Sequence, residues 1–209
     1  MINWLQKEWS NLASKYTKDD HLVGALWFDI EKNYSESVRH YHNLKHIYNM
    51  LIQSEKIKNL IEDFEMLQFS IWYHDIVYRP TRKDNEEKSA LSAKNSLRKF
   101  SFDEKRIECV NDLIISTKKH ELILYENNDN AYMLDLDLSI LGTDWDVYKK
   151  YVENIRKEYK IYPNFMYNPG RKKVLQQFLN REALYFSEEF SIKYENQARE
   201  NIERELERL

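Results

Sequence analysis

With three glycines and three prolines in 209 residues, this chain has few means of making tight turns or of interrupting a helix. Glu, Lys, Leu, Asn and Tyr abound instead, and a sequence rich in helix formers and poor in breakers points to an all-α fold. The length suits one domain with a real core. The expected layout is a single body over residues 1–209, its core at about 36–142 and helices at about 144–208 packed on it. Cys109 is the single cysteine, which excludes an intrachain disulfide and a cysteine-based zinc site. There is neither a cationic leader with an apolar core nor an apolar run near about 18 residues, so a cytoplasmic protein without membrane association is expected. The formal charge of −3 does not suit a protein that wraps a nucleic-acid backbone, although it leaves room for a local basic pocket.

Within this frame, the run Ile71-Trp72-Tyr73-His74-Asp75-Ile76-Val77-Tyr78 stands out. It places two adjacent ionisable groups at the end of an apolar segment, where each costs several kcal/mol unless paired or bound to a metal. Imidazole and carboxylate are both good ligands for a divalent cation. Two other stretches could add ligands: Arg39 to His46, which holds His40, His42 and His46, and Asp135-Leu136-Asp137-Leu138.

Apolar spacing outlines the helices around these stretches. Leu5, Trp9, Leu12 and Tyr16 mark a first helix, and Asp19 or Asp20 caps a second that buries Leu22, Val23, Leu26, Trp27 and Ile30. A third helix carries Tyr41, Leu44, Tyr48 and Leu51 as its stripe, with Arg39, His42 and His46 sharing the neighbouring face at i, i+3 and i+7. The central helix is expected from Glu62 to Val77. Neighbours in mid-helix project about 100° apart, but at its C-terminal turn His74 and Asp75 can converge on an ion. Pro80 stops it, and Asp84 or Asn85 caps the helix that begins at Glu86. Further helices are expected over Asp103–Thr117, Tyr132–Gly142, Asp144–Lys160, Arg171–Asn180 and Glu188–Glu207, with a loop over Tyr162–Gly170. Asp135 and Asp137 cannot face the same way on a helix, so one of them faces the site while the other caps or pairs. The fifteen tyrosines and five tryptophans are read mainly as filling between helices.

Arg39-His40-Tyr41-His42-Asn43 through His46-Ile47, the Trp72–Tyr78 run, Asp84-Asn85-Glu86 with Ser89-Ala90, Thr117 with His120, Asp135–Leu138 with Leu141-Gly142, Gly170-Arg171, and Glu195, Ala198-Arg199 and Asn201 form an ordered series of blocks. Together they resemble the HD superfamily of metal-dependent phosphohydrolases, and in particular a branch of predicted bacterial enzymes. The resemblance implies a bundle of about nine or ten helices with the metal site between the central ones. It implies His42, His74, Asp75 and Asp137 as the ligands, with Asp135 the rival of Asp137. Family members that bind two metals often carry a His-Glu pair after the HD dipeptide; here Asn85-Glu86 stands in that place, so one ion is expected. Two imidazoles and two carboxylates fit Mn, Fe, Ni, Zn or Mg.

The chemistry implied is hydrolysis of a phosphoester of a small metabolite or nucleotide by a metal-activated water. Arg39, His46, His120 and Arg171 are the candidates for cations around the transferring group, and Glu86 for orienting the water or a ligand imidazole. Lys118 and Lys119 read as solvated. Tyr41, Trp72, Tyr73 and Tyr78 could stack a base, against the simpler reading that they pack the core. A homodimer is a further candidate assembly. The competing reading is a non-catalytic metal- or nucleotide-binding sensor or scaffold on the same fold.

Overall fold

No segment pairs as a strand: a computed structural model, which describes residues 1–209, contains ten α-helices and two short 3-10 turns. The all-α expectation therefore holds. In order the helices are α1 (Ile2–Ala13), α2 (Asp20–Tyr34), α3 (Leu44–Lys56), α4 (Phe64–Tyr73), α5 (Asn85–Lys99), α6 (Glu104–Ser116), α7 (Asp129–Leu138), α8 (Trp145–Glu158), α9 (Asn164–Leu179) and α10 (Glu188–Leu206). The 3-10 turns are Lys58–Leu60 and Ser139–Gly142. No helix is long and apolar enough to cross a membrane. The chain divides into two compact units, Met1–Met133 and Leu134–Leu209.

The first unit is built around α4. Every residue from Met66 to Tyr73 is buried, as expected of a helix apolar on all sides. Against it packs an aromatic cluster centred on Trp9 of α1, whose ring meets Trp72 edge-on at 5.8 Å and Phe69 at 6.1 Å. The Trp9 indole N–H donates to Val23 O at 3.0 Å, tying α1 to α2. Trp72 and Tyr73 are thus core side chains, with exposures of 0 and 1 %. The small residues Ser89, Ala90 and Ala93 are buried on α5, which packs against α4 and α6. Asp63 caps α4 through Met66 N at 3.0 Å. Asp129 holds the residues leading into that helix, accepting from Glu62 N at 2.8 Å and Asp63 N at 2.9 Å.

Three expectations need correction. The third helix does not include Arg39 and His42: it starts at Leu44, because the Asn43 side chain caps it, accepting from Lys45 N at 2.9 Å while its Nδ2 donates to His40 O at 3.0 Å. The residues before it form turns, so helix-face spacing does not govern them. The expected loop over Tyr162–Gly170 is largely helical, since α9 begins at Asn164 and runs through Pro169. Its start is anchored by Arg156, which donates to Tyr159 O and Tyr162 O and to Asn164 Oδ1. The carbonyl that loses its partner to Pro169 belongs to Phe165, an exposed residue that water can serve. The central helix, finally, runs from Phe64 and stops at Tyr73, short of Val77, with His74 as its C-cap. Gly142 has no positive φ. Its need is steric: a Cβ there would lie 2.5 Å from Tyr194 Cβ and 2.7 Å from Tyr194 O on α10.

The second unit closes on this approach of the Ser139–Gly142 turn to α10. Asn201 donates to Leu141 O at 2.8 Å and Thr143 O at 2.7 Å, satisfying carbonyls at the end of the turn. Glu195 accepts from Leu184 N at 2.9 Å, and Arg199 bonds Glu195 as well as the carbonyls of Leu179, Arg181 and Glu182.

Candidate metal centre

The end of α4 brings the ionisable pair together. His74 is the C-cap residue, its backbone N–H still bonded to Ser70 O at 2.9 Å, and Ile76 N bonds Tyr73 O at 3.1 Å in a tightened last turn. Here His74 Nε2 and Asp75 Oδ2 lie 3.1 Å apart. From the first turn of α3, His46 brings its own Nε2 to 3.2 Å from that of His74. His46, His74 and Asp75 thus form a group whose ligand atoms all lie within 4.8 Å of one another. Both imidazoles are buried, and the Asp75 side chain is 14 % exposed.

Hydrogen bonding sets which atom of His74 is offered. Its Nδ1 is 2.9 Å from Ile71 O. A carbonyl only accepts, so Nδ1 carries the hydrogen and the neutral ring presents its lone pair at Nε2, as metal-bound histidines do when a carbonyl orients them. Two facing Nε2 atoms can both offer lone pairs only toward a shared cation; otherwise one of them must carry a proton. Separations of 3.1 and 3.2 Å also suit neighbouring ligands on a first-row ion, whose bonds to N and O are about 2.0–2.2 Å. The donor set therefore fits a divalent metal. Nearby, burial pushes the half-buried Glu86 carboxyl upward, and the charge of Asp75 adds to the effect.

His42 stands beside this group. Its ring centroid is 6.3 Å from that of His46, and the ring stacks on Tyr78 at 4.0 Å with 27° between the planes. Tyr41 lies 5.0 Å from both imidazoles. Arg39 is 6 % exposed, and its guanidinium is directed onto the backbone carbonyls of His42, Asp75 and Ile76. The segment after the cluster is stitched to α5: Asn85 bridges the N–H and C=O of Arg79, and Ser89 Oγ bridges those of Val77. Lys118 bonds Lys83 O and pairs with Glu87, which fixes the end of α6 beside the start of α5. His120, in that end, adopts a left-handed backbone with φ of 51°.

The remaining candidates belong to the second unit. Asp135 is fully buried and caps the approach to α10, accepting from Phe186 N and Ser187 N, each at 2.8 Å, and from Ser187 Oγ at 2.6 Å. Burial pushes its carboxyl up to about 6, against the pull of those bonds. The capping task expected of one of the two aspartates thus falls to Asp135. Asp137 is half-buried, and its charge raises the pKa of the Tyr151 hydroxyl, a smaller effect there than burial. Arg171 forms a buried two-bond ion pair with Glu205, at 2.7 and 3.0 Å, and lies over the Tyr151 ring. Tyr148 donates its hydroxyl to the same carboxylate.

Comparison with known protein families, curated proteins and solved structures finds no match. The geometry stands alone.

His42 and His46 are equally good ligands by type, and the Asn43 cap sets their different surroundings: it puts His46 inside the first turn of a helix and His42 outside it.

Proposed function

We propose that this chain is a metal-dependent phosphohydrolase of the HD superfamily, acting on a phosphoester of a small metabolite or nucleotide. The observation that carries the reading is the meeting of His46 Nε2, His74 Nε2 and Asp75 Oδ2 at one point in the first unit. We assign the imidazole ligands to His46 and His74, with His42 packed against Tyr78 at the rim. A divalent ion held there supplies Lewis acidity toward a phosphoryl oxygen and makes water a competent nucleophile near neutral pH.

The protein's own groups contribute the rest. Ile71 O keeps the His74 proton on Nδ1. Glu86, with its carboxyl raised by burial, can hold or release a proton next to Asp75. Lys119 and His120 stand on the turn that Lys118 fastens beside Lys83 and Glu87, and they are the donors offered to the substrate's phosphate.

Elemental analysis of the purified chain tests this, joined to phosphate release from a generic phosphoester and a nucleotide panel with Mn, Mg, Ni or Zn. About one metal per chain with metal-dependent turnover is the expected result. Bound metal without turnover on any substrate would favour a sensor or scaffold. No metal under any loading condition would end the proposal.

A further inference from the structure

The backbone of Asp75 is held from both sides. Its amide donates to Tyr34 Oη at 3.2 Å, and its carbonyl accepts from Arg39 Nη1 at 2.6 Å. The same Nη1 lies 3.2 Å from His42 O, and Nη2 donates to Ile76 O at 2.8 Å. One buried guanidinium therefore joins the turn that leads into α3 to the segment that leaves α4. The first runs directly into the opening turn of α3, which carries His46, and the second carries Asp75 next to His74.

Aromatic rings complete the frame. The guanidinium carbon lies 5.1 Å from the Tyr34 ring centroid and 5.8 Å from that of Tyr78. Tyr34 Oη also donates to Trp72 O at 3.1 Å, and Tyr78 stacks on His42. Arg39 Nε is buried without a hydrogen-bond partner, 4.0 Å from Glu36 Oε2. With both terminal nitrogens on carbonyls and the side chain 1 % exposed, Arg39 presents no fork to a phosphoryl group.

We propose that Arg39 is a positioning residue for the metal centre: it fixes the spacing between His46 and the His74–Asp75 pair by clamping the turn that runs into α3 to the segment that leaves α4, and touches neither ion nor substrate. This rests on the metal reading above. The clamp needs arginine because a planar fork can reach carbonyls of two segments at once, whereas a lysine ammonium is a single point on a flexible stem. The cluster is thus built in two tiers, with ligands on helix ends and a cation that sets how far apart those ends stand.

The test uses Co²⁺ as probe on the full chain, reading affinity by titration and ligand geometry by visible absorption. Arg39→Lys should bind Co²⁺ about 10- to 100-fold more weakly, the range for loss of a group that orients ligands. Its absorption bands should shift while its helical circular dichroism stays that of the wild type. Tyr34→Phe, which removes the hydroxyl on Asp75 N–H but keeps the ring, should shift both readouts the same way by less. It also decides the matter should the arginine variant fail to fold. Wild-type affinity and spectrum in both variants would overturn the clamp, as would an Arg39→Lys protein with unchanged Co²⁺ binding and a raised KM for phosphoester. A wild-type chain that takes up no Co²⁺ would overturn the metal reading itself, a result distinct from either.

Discussion

Each unit buries a group of ionisable side chains, and the two groups differ in how their charges close. In the second unit Arg171 and Glu205 face each other through two hydrogen bonds, with Tyr148 and Tyr151 around them. Cation meets anion, every strong contact is internal, and the arrangement asks for nothing from outside. In the first unit His46, His74 and Asp75 point three potential lone-pair donors at one another, with Glu86 adding a carboxylate close by. The buried guanidinium of Arg39 is turned onto backbone carbonyls. A buried group that neutralises itself is structural, while one that gathers atoms of the same polarity is suited to an external cation.

Breaking the closed group should cost the most stability. Arg171→Ala leaves the Glu205 carboxylate buried without its cation, and a loss of about 3–5 kcal/mol is expected in urea unfolding, with metal content unchanged. Replacing both partners, Arg171→Met with Glu205→Leu, should recover much of that loss, because a buried ion pair is often no more stabilising than well-packed apolar groups of similar volume. A double variant as unstable as the single one would show that the pair contributes more than charge closure.

The open group should respond to ligand instead. Addition of Mn²⁺ or Zn²⁺ at about one hundred times its Kd should stabilise the wild type by about 2.7 kcal/mol, an increment that EDTA removes and that His74→Ala lacks. Melting curves that ignore the metal would contradict the comparison from the other side. Gly142→Ala should lose about 1–3 kcal/mol through the clash with Tyr194, again at unchanged metal content. Asp135→Ala should show the smallest change, about 0.5–2 kcal/mol for a lost cap, with wild-type metal stoichiometry. Metal lost from the Asp135 variant would put that carboxylate among the ligands after all.

Much of the helical outline was legible along the chain. Asp19 and Asp103 each accept a backbone N–H three residues ahead at a helix start, and α2, α6, α8 and α10 fall close to where apolar spacing puts them. Such signals are complete within four or five neighbouring residues, so they survive without knowledge of the fold. The pairing of His74 with Asp75 was legible for the same reason, as adjacent groups at a helix end.

What could not be read lay in partners far along the chain. Whether His42 or His46 joins His74 depends on where α3 begins and how it meets α4. Whether Arg39 faces a phosphate or a carbonyl depends on Asp75 and Ile76, some 36 residues away in sequence. The division of labour between Asp135 and Asp137 turns on Phe186 and Ser187, and the helical course of α9 through Pro169 rests on the anchor at Arg156. Local pattern specifies which residues are helical and which side chains can bind; packing specifies which of several chemically equal side chains meet, because that choice is made by neighbours brought close only when the helices dock.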